Sequence, residues 1–156
     1  MSRVKIANLN LTLPEDKLYD PENYIHYIEI LPKSPDHQTL IITHGYGVGA
    51  ASFFRMFADL AEHFHIIAFD LMGMGCSGRP PFTCATPEEA EEFFLVPMRR
   101  FIQKLELKRK YVLAGHSLGA FLSTIYALRF REEISQLILL SPVGVPERPA
   151  DLTDEQ

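Results

Sequence analysis

Apolar and polar residues alternate along two stretches near the start of the chain, residues 4–13 and 24–31. Alternation with a period of two is typical of a strand with one exposed face, so we expect a strand in each stretch. Short continuous apolar runs follow them and indicate strands that are buried on both faces. These runs lie at residues 39–43, 65–69, 111–114 and 136–140.

Apolar residues at helical spacing separate the buried runs, over residues 51–63, 86–105 and 118–130. The second of these helices has a clear start signal. Thr86 is its expected cap, Pro87 takes the first helical position, and Glu89 completes a capping box. Pro97 lies inside the same helix and predicts a kink or a break, because proline has no N–H to donate.

Strands that alternate with helices predict an α/β fold, with a mostly parallel sheet and helices on both faces. The length of 156 residues fits one domain. Glycine-containing loops follow the strands that end at Thr43, Phe69 and Ala114. Ligands of such sheets gather at the carboxyl ends of the strands, so we expect the residues of these loops to meet at one edge.

Charge narrows the range of partners. The net charge of −5 argues against nucleic acid, because phosphate binding needs a basic face. One basic cluster lies on and after the second helix, and it is interpreted either as a solvated helix face or as a contact with an anionic membrane. Its members are Arg99, Arg100, Lys104, Lys108, Arg109 and Lys110.

The two cysteines, Cys76 and Cys84, form neither a disulfide framework nor a zinc-binding set by their spacing. They fit a reducing, cytoplasmic location, and we expect no metal and no cofactor. The sequence has no signal-peptide core and no run of about 18 apolar residues, so any membrane contact is expected to be peripheral.

Residues 115–119 read G-H-S-L-G, a G-x-S-x-G pattern between a predicted buried strand and a predicted helix. In this context the pattern indicates a nucleophile elbow, in which Ser117 stands exposed on a sharp turn. Gly115 and Gly119 allow the backbone to turn without a clashing Cβ. Ser117 is therefore the candidate nucleophile for acyl transfer, and the amide of Leu118 is a candidate oxyanion donor.

The second oxyanion donor is expected from the loop after residue 43, most directly the amide of Tyr46. Gly45 and Gly47 would let that loop curl toward the serine. A phosphate-binding turn is the alternative interpretation, but no Walker lysine follows the loop. His116 adjoins the nucleophile, and we expect its side chain to anchor a loop rather than act as a base.

These motifs together resemble those of the α/β-hydrolase superfamily. The matching strings are T-H-G-Y-G at 43–47, D-L-M-G-M-G-C-S at 70–77 and G-H-S-L-G at 115–119. Within it, the chain looks like the group of lipid-handling lipases, lysophospholipid acyltransferases and a lipid-droplet co-activator. The resemblance implies Ser117 as nucleophile and Tyr46 and Leu118 as oxyanion amides. The supporting positions it implies are His44, Gly45, Gly47, Gly115, His116 and Gly119.

The same resemblance places the catalytic acid and then the catalytic histidine after the serine, and no histidine follows Ser117. Residues 1–156 are therefore expected to form a partial domain with an incomplete C-terminal half. Residues 143–156 would be the start of the missing cap region. Residues 136–140 would then form an exposed apolar edge that favours oligomers or aggregates.

Three hypotheses remain open at this point, and they leave open whether the chain itself is an enzyme. The first is a serine hydrolase that acts on ester or amide bonds of lipids, with activity impaired in this chain. The second is a non-catalytic module that binds lipid surfaces, such as a membrane or a lipid droplet, or acts as a co-activator. The third is a gene fragment with no function of its own.

Overall fold

Six strands form one sheet in the computed structural model, which describes residues 4–13, 16 and 21–144. The strands are β1 (Val4–Asn10), β2 (Tyr24–Ile30), β3 (Gln38–Thr43), β4 (Phe64–Phe69), β5 (Tyr111–His116) and β6 (Ile134–Leu140). The helices are α1 (Phe54–Leu60), α2 (Pro87–Lys104) and α3 (Leu118–Arg129), with 3-10 turns at Ala50–Phe53 and Arg131–Glu133. The strand order across the sheet is β1-β2-β4-β3-β5-β6.

The sheet is parallel across β4, β3, β5 and β6, whereas β1 and β2 pair antiparallel with their neighbours. This arrangement confirms the predicted α/β fold with a mostly parallel sheet. The chain passes from β1 to β2 without a described helix, and a connection without a helical crossover suits antiparallel pairing.

Consecutive residues of the central strands serve two separate cores, because successive side chains point to opposite faces of a sheet. On one face Ile41 and Ile67 pack with α2 and α3, for example with Phe101. On the other face Ile42 and Ile66 pack with α1. Helices therefore cover both faces, as the continuous apolar runs predicted. No helix within the described ranges is long and apolar enough to cross a bilayer.

Helix α2 begins at the predicted cap and proline, but Glu89 bonds the residue before the cap instead of completing the capping box, and the helix does not break at Pro97. The Thr86 hydroxyl accepts from the Glu89 N–H at 3.2 Å, while the Glu89 carboxylate accepts from the N–H of Ala85 at 2.7 Å. The helix runs without interruption through Pro97, so the chain does not break there. Leu95 and Met98 are buried on either side of the proline, and their packing holds the turn that has lost its hydrogen bond.

The first turn of α3 lies unusually close to β3 and β5. A Cβ on Gly119 would stand 2.7 Å from Thr43 Oγ1 and would also clash with the His44 carbonyl oxygen. A Cβ on Gly115 would stand 2.6 Å from the Ala120 nitrogen. The buried Thr43 hydroxyl uses this proximity: it donates to the Gly119 carbonyl at 3.0 Å and lies 3.0 Å from Ser123 Oγ.

Gly119→Ala should therefore destabilise the fold. Alanine is a better helix former than glycine by about 1 kcal/mol, but the clash forces α3 away from β3, and overpacking of this kind costs about 1–3 kcal/mol. We expect a net loss in the free energy of unfolding, measured by urea denaturation. Leu128→Ala, at an exposed position of the same helix, is the control and should change stability by less than about 0.5 kcal/mol. Equal or greater stability of the alanine variant at 119 would contradict this packing.

Strand β6 is one edge of the described sheet, and Leu139 and Leu140 are exposed on it. Unpaired backbone groups beside apolar side chains favour pairing with another chain. We predict that the purified chain self-associates through β6 and that Leu139→Lys weakens the association, because an edge lysine disfavours pairing. Sedimentation velocity over a concentration series measures this, with Ile6→Lys on the opposite edge as the control. A monomer at all concentrations would refute the prediction.

Candidate active site

Ser117 forms the turn between β5 and α3 in a strained conformation. Its φ of +53° and ψ of −117° lie in a region that residues with a side chain rarely occupy. Backbone hydrogen bonds hold it on both sides: its N–H donates to the Leu140 carbonyl at 3.0 Å, and its carbonyl accepts from the Ala120 N–H at 3.0 Å. Strand, strained serine and helix are the geometry of a nucleophile elbow.

The loop after β3 lies directly against this turn. A Cβ on Gly45 would stand 3.0 Å from Ser117 Cβ and 3.1 Å from His116 Nδ1. Only glycine allows so close an approach without displacing a neighbour. Gly47 has a φ of +74°, and the side chain of Tyr46 between these glycines is 81% exposed. The structure thus brings the backbone of this loop, Ser117 and His116 together, as the sequence predicted for the loop and the serine.

His44 is fully buried and holds one tautomer. The Leu71 N–H donates to His44 Nε2 at 2.9 Å, so that nitrogen carries no proton. Nδ1 therefore carries the proton and donates to the Gly45 carbonyl at 2.7 Å. Burial lowers the pKa of His44, which keeps the ring neutral. Asp70 Oδ1 lies 3.8 Å from His44 Nε2, but the two side chains do not form an ion pair because the ring is neutral.

Asp70 follows β4 and joins two loops through its buried carboxylate. Oδ1 accepts from the Ala50 N–H at 2.5 Å, and Oδ2 accepts from the Cys76 N–H at 2.7 Å. Its backbone carbonyl accepts from the Ser77 hydroxyl at 2.6 Å. A Cβ on Gly75, which has a φ of +53°, would clash with the carboxylate. Asp70 therefore positions the loops beside the elbow, and its described hydrogen bonds go to these loops rather than to Ser117.

A cavity of about 450 Å³ opens between the loops after β3 and β4. Tyr46, Val48 and Met74 contribute its side chains, and Arg79 contributes its charge. The Arg79 guanidinium donates to the Gly73 and Gly75 carbonyls at 3.2 and 2.7 Å, so its position is fixed by backbone. The sequence analysis missed Arg79 and the role of Thr43. The available signals were the position of Thr43 at the end of a buried strand and that of Arg79 in the glycine-containing loop after β4.

The arrangement can support nucleophilic attack on an acyl carbon. The strained serine stands at the carboxyl edge of the sheet, beside two backbone segments that carry N–H groups, at Tyr46 and at Leu118. Within residues 4–13, 16 and 21–144, no histidine forms a hydrogen bond with Ser117 Oγ. His44 is bonded at both ring nitrogens, and His116 Nδ1 faces Gly45.

The sequence of this chain is similar to those of known proteins with the alpha/beta hydrolase fold. The family model for the alpha/beta hydrolase fold covers residues 38–156. The 1-acylglycerol-3-phosphate O-acyltransferase of Arabidopsis thaliana is 40% identical over 106 residues, which make up 68% of this chain and 25% of that protein. The (lyso)-N-acylphosphatidylethanolamine lipase of Bos taurus is 34% identical over 130 residues, or 83% of this chain and 37% of that protein. The chain thus spans 25% to 37% of the length of these relatives.

A solved structure agrees with the sequence matches. The crystal structure of a membrane phospholipase A, a bacterial virulence factor, superposes with a TM-score of 0.72 and 26% identity over 94% of this chain and 43% of that one. The strand order, the elbow at Ser117 and these similarities have one explanation: the chain belongs to the α/β-hydrolase family.

Proposed function

We propose that Ser117 is the nucleophile of an acyl-transfer reaction on ester or amide bonds of lipids. The observation that carries the proposal is the positive φ of Ser117, since the cost of that strain is characteristic of functional sites. The contact of Gly45 with the serine supports the amides of Tyr46 and Leu118 as the oxyanion hole. The relatives named above act on phospholipids or lysophospholipids by their names, which supports a lipid as the source of the acyl group.

In the proposed reaction the Ser117 hydroxyl oxygen attacks the carbonyl carbon and loses its proton to a general base. The carbonyl oxygen becomes negatively charged, and the two amides stabilise that charge. The carbon–oxygen or carbon–nitrogen bond to the leaving group then breaks, the leaving group takes up a proton, and an acyl-serine remains. Water or a lysolipid hydroxyl would accept the acyl group.

The residues described around Ser117 supply the nucleophile and the oxyanion donors but no base in contact with its hydroxyl. Without such a base, oxyanion stabilisation and binding leave a rate on the order of 10³–10⁴-fold above the reaction in water. We accordingly propose that residues 1–156 form part of one α/β-hydrolase domain, with 143–156 at the start of its cap region. Residues 145–156 lie outside the described part of the chain.

Added imidazole should restore part of the reactivity of Ser117. We expect slow phosphonylation of the purified chain by a fluorophosphonate, in which the serine oxygen displaces fluoride, and we expect neutral imidazole to accelerate it by accepting the serine proton. Intact-mass and peptide mass spectrometry measure the rate and the labelled residue. Ser117→Ala should abolish the accelerated labelling, whereas Ser141→Ala should leave most of it.

Two outcomes would contradict this reading. Labelling that is spread over several serines, or that does not respond to imidazole, would remove Ser117 as an activated nucleophile. Rapid labelling without imidazole that is lost in Ser117→Ala would instead show that the chain carries its own base.

We also propose that lipid meets the protein through apolar side chains at the carboxyl edge of the sheet. Tyr46, Val48, Phe82 and Val143 are exposed there, and the Val143 N–H donates to the Ser117 carbonyl at 3.4 Å.

The basic cluster offers a weaker argument for membrane contact, because its charges are largely paired. Arg99 binds Glu133, Arg100 binds Asp16, Arg109 binds Asp36 and Lys110 lies near Glu132.

Vesicle flotation separates these two surfaces. We expect similar binding to phosphatidylcholine vesicles with and without phosphatidylserine, since paired charges add little attraction. The double change Tyr46→Ser and Val48→Ser should lower the vesicle binding constant at least tenfold, because full burial of even one such side chain is worth about 1.5–3 kcal/mol and about 1.4 kcal/mol is tenfold. Leu128→Ser, at another exposed apolar position, is the matched control. Binding that requires phosphatidylserine and falls with salt would favour the basic cluster instead.

A further inference from the structure

Three side chains of metal-binding type converge beside the loop after β4. They are His26 of β2, Asp70 at the end of β4, and Cys76 in the loop. One ligand atom from each lies within 4.8 Å of the other two. The carboxylate is buried, the imidazole is half-buried, and the thiol is exposed. The cluster thus has a fixed inner side and an outer side that solvent reaches.

Backbone hydrogen bonds fix the three residues relative to one another. The Asp70 N–H donates to the His26 carbonyl at 2.9 Å, which continues the pairing of β2 with β4. The His26 N–H donates to Ser77 Oγ at 2.9 Å, and the Cys76 N–H donates to Asp70 Oδ2 at 2.7 Å. These bonds fix the backbones of the three residues and the Asp70 carboxylate relative to one another before any ligand binds.

The hydrogen bond of His26 leaves one ring nitrogen suited to coordination. Its Nδ1 lies 2.7 Å from Asn8 Oδ1. An amide oxygen only accepts, so Nδ1 carries the proton and Nε2 keeps its lone pair. Metal-bound histidines are held in this way, with the second nitrogen donating to an oxygen that fixes the tautomer and the ring orientation.

The carboxylate and the thiol offer a cation two ligands that can carry negative charge. Each Asp70 oxygen accepts one backbone N–H and retains a lone pair for a second partner. A bound divalent cation would compensate the charges of the carboxylate and of a coordinating thiolate. Its binding would release the thiol proton to solvent as the sulfur–metal bond forms.

The donor set identifies the class of cation. Magnesium and calcium select oxygen ligands, whereas zinc accepts thiolate, imidazole and carboxylate together. We propose that His26, Asp70 and Cys76 form a three-ligand site for Zn²⁺, with the fourth position open to solvent beside Cys76. This proposal replaces the expectation of no metal site, which rested on cysteine spacing alone. Spacing could not reveal ligands that come from separate strands and a loop.

An ion at this position would stiffen the wall of the candidate active site. Gly75 adjoins Cys76 and lines the cavity beside Tyr46. A bond from Cys76 to an ion held by β2 and β4 would therefore restrict the loop that shapes the cavity. The inference does not depend on Ser117 as a nucleophile, and Ser117→Ala should bind zinc as the unchanged chain does.

The test is zinc titration of the whole reduced chain against a chromophoric zinc chelator, with thermal unfolding followed by circular dichroism. We expect a single equivalent of Zn²⁺ to bind, a higher Tm with zinc, and slower alkylation of Cys76 by iodoacetamide when zinc is present. Cys84 is the matched thiol in the same chain, and its alkylation should not respond to zinc. Peptide mass spectrometry distinguishes the two thiols.

Variants then assign the ligands. Asn8→Leu should weaken zinc binding about 10–100-fold, as expected for loss of an outer-shell partner, and Cys76→Ser and His26→Gln should weaken it by a larger factor. Cys84→Ser and His63→Gln should leave it unchanged. Asp70 is not substituted, because its carboxylate holds two loops and its loss would disturb the fold. Zinc binding that survives Cys76→Ser, or zinc that fails to protect Cys76, would overturn the proposal whatever the reactivity of Ser117.

Discussion

The close approach of α3 to the carboxyl ends of β3 and β5 is the contact on which the site depends. Gly119 and Gly115 permit it, because a Cβ at either position would overlap neighbouring backbone. Once the helix begins so near the strands, the single residue between β5 and α3 must reverse the chain abruptly. The positive φ of Ser117 is the result. The strain at Ser117, the proposed nucleophile, is thus maintained by packing, and the helix cannot relax it without leaving Thr43.

The loops that face the serine are held by polar groups that water does not reach. His44 connects the loop after β3 to the residue after Asp70, and Asp70 connects the loop after β4 to the start of the 3-10 turn. Both side chains are buried, and the bonds use both ring nitrogens of His44 and both carboxylate oxygens of Asp70. A buried donor or acceptor without a partner would cost about 1–3 kcal/mol. Moving either loop would break such a bond and leave its partner unpaired, so the bonds together hold both loops in place. The loop after β3, which carries the proposed oxyanion amide of Tyr46, owes its position to this shared set of partners.

Much of the fold could be predicted because it depends on local patterns. The apolar run before Ser117 became β5, and Thr86 and Glu89 marked the start of α2. The helix expected from residue 51 instead begins as a 3-10 turn at Ala50 and becomes α-helical at Phe54. Pro97 did not break α2, since core packing of the flanking residues outweighed the missing hydrogen bond. Local propensity gave the type of element, and tertiary contacts set its details.

The candidate site was predictable only where one short segment carries it. The serine and its glycines are neighbours in sequence, so their turn could be recognised. The pairing of Arg100 with Asp16 and the meeting of His26 with Cys76 join residues far apart in the chain. Such contacts depend on how the strands and loops are arranged in the fold, so they could not be predicted from the spacing of residues in the sequence.

The single tautomer of His44 has a consequence for the compartments in which this geometry can persist. Burial lowers the pKa of the ring, so the folded loops favour its neutral form. Their stabilising effect is complete above the pKa of the same histidine in the unfolded chain and is lost as the pH falls below it. Protonation would give Nε2 a hydrogen that points at the Leu71 N–H. An acidic lumen would therefore push apart the two loops that a neutral compartment keeps joined.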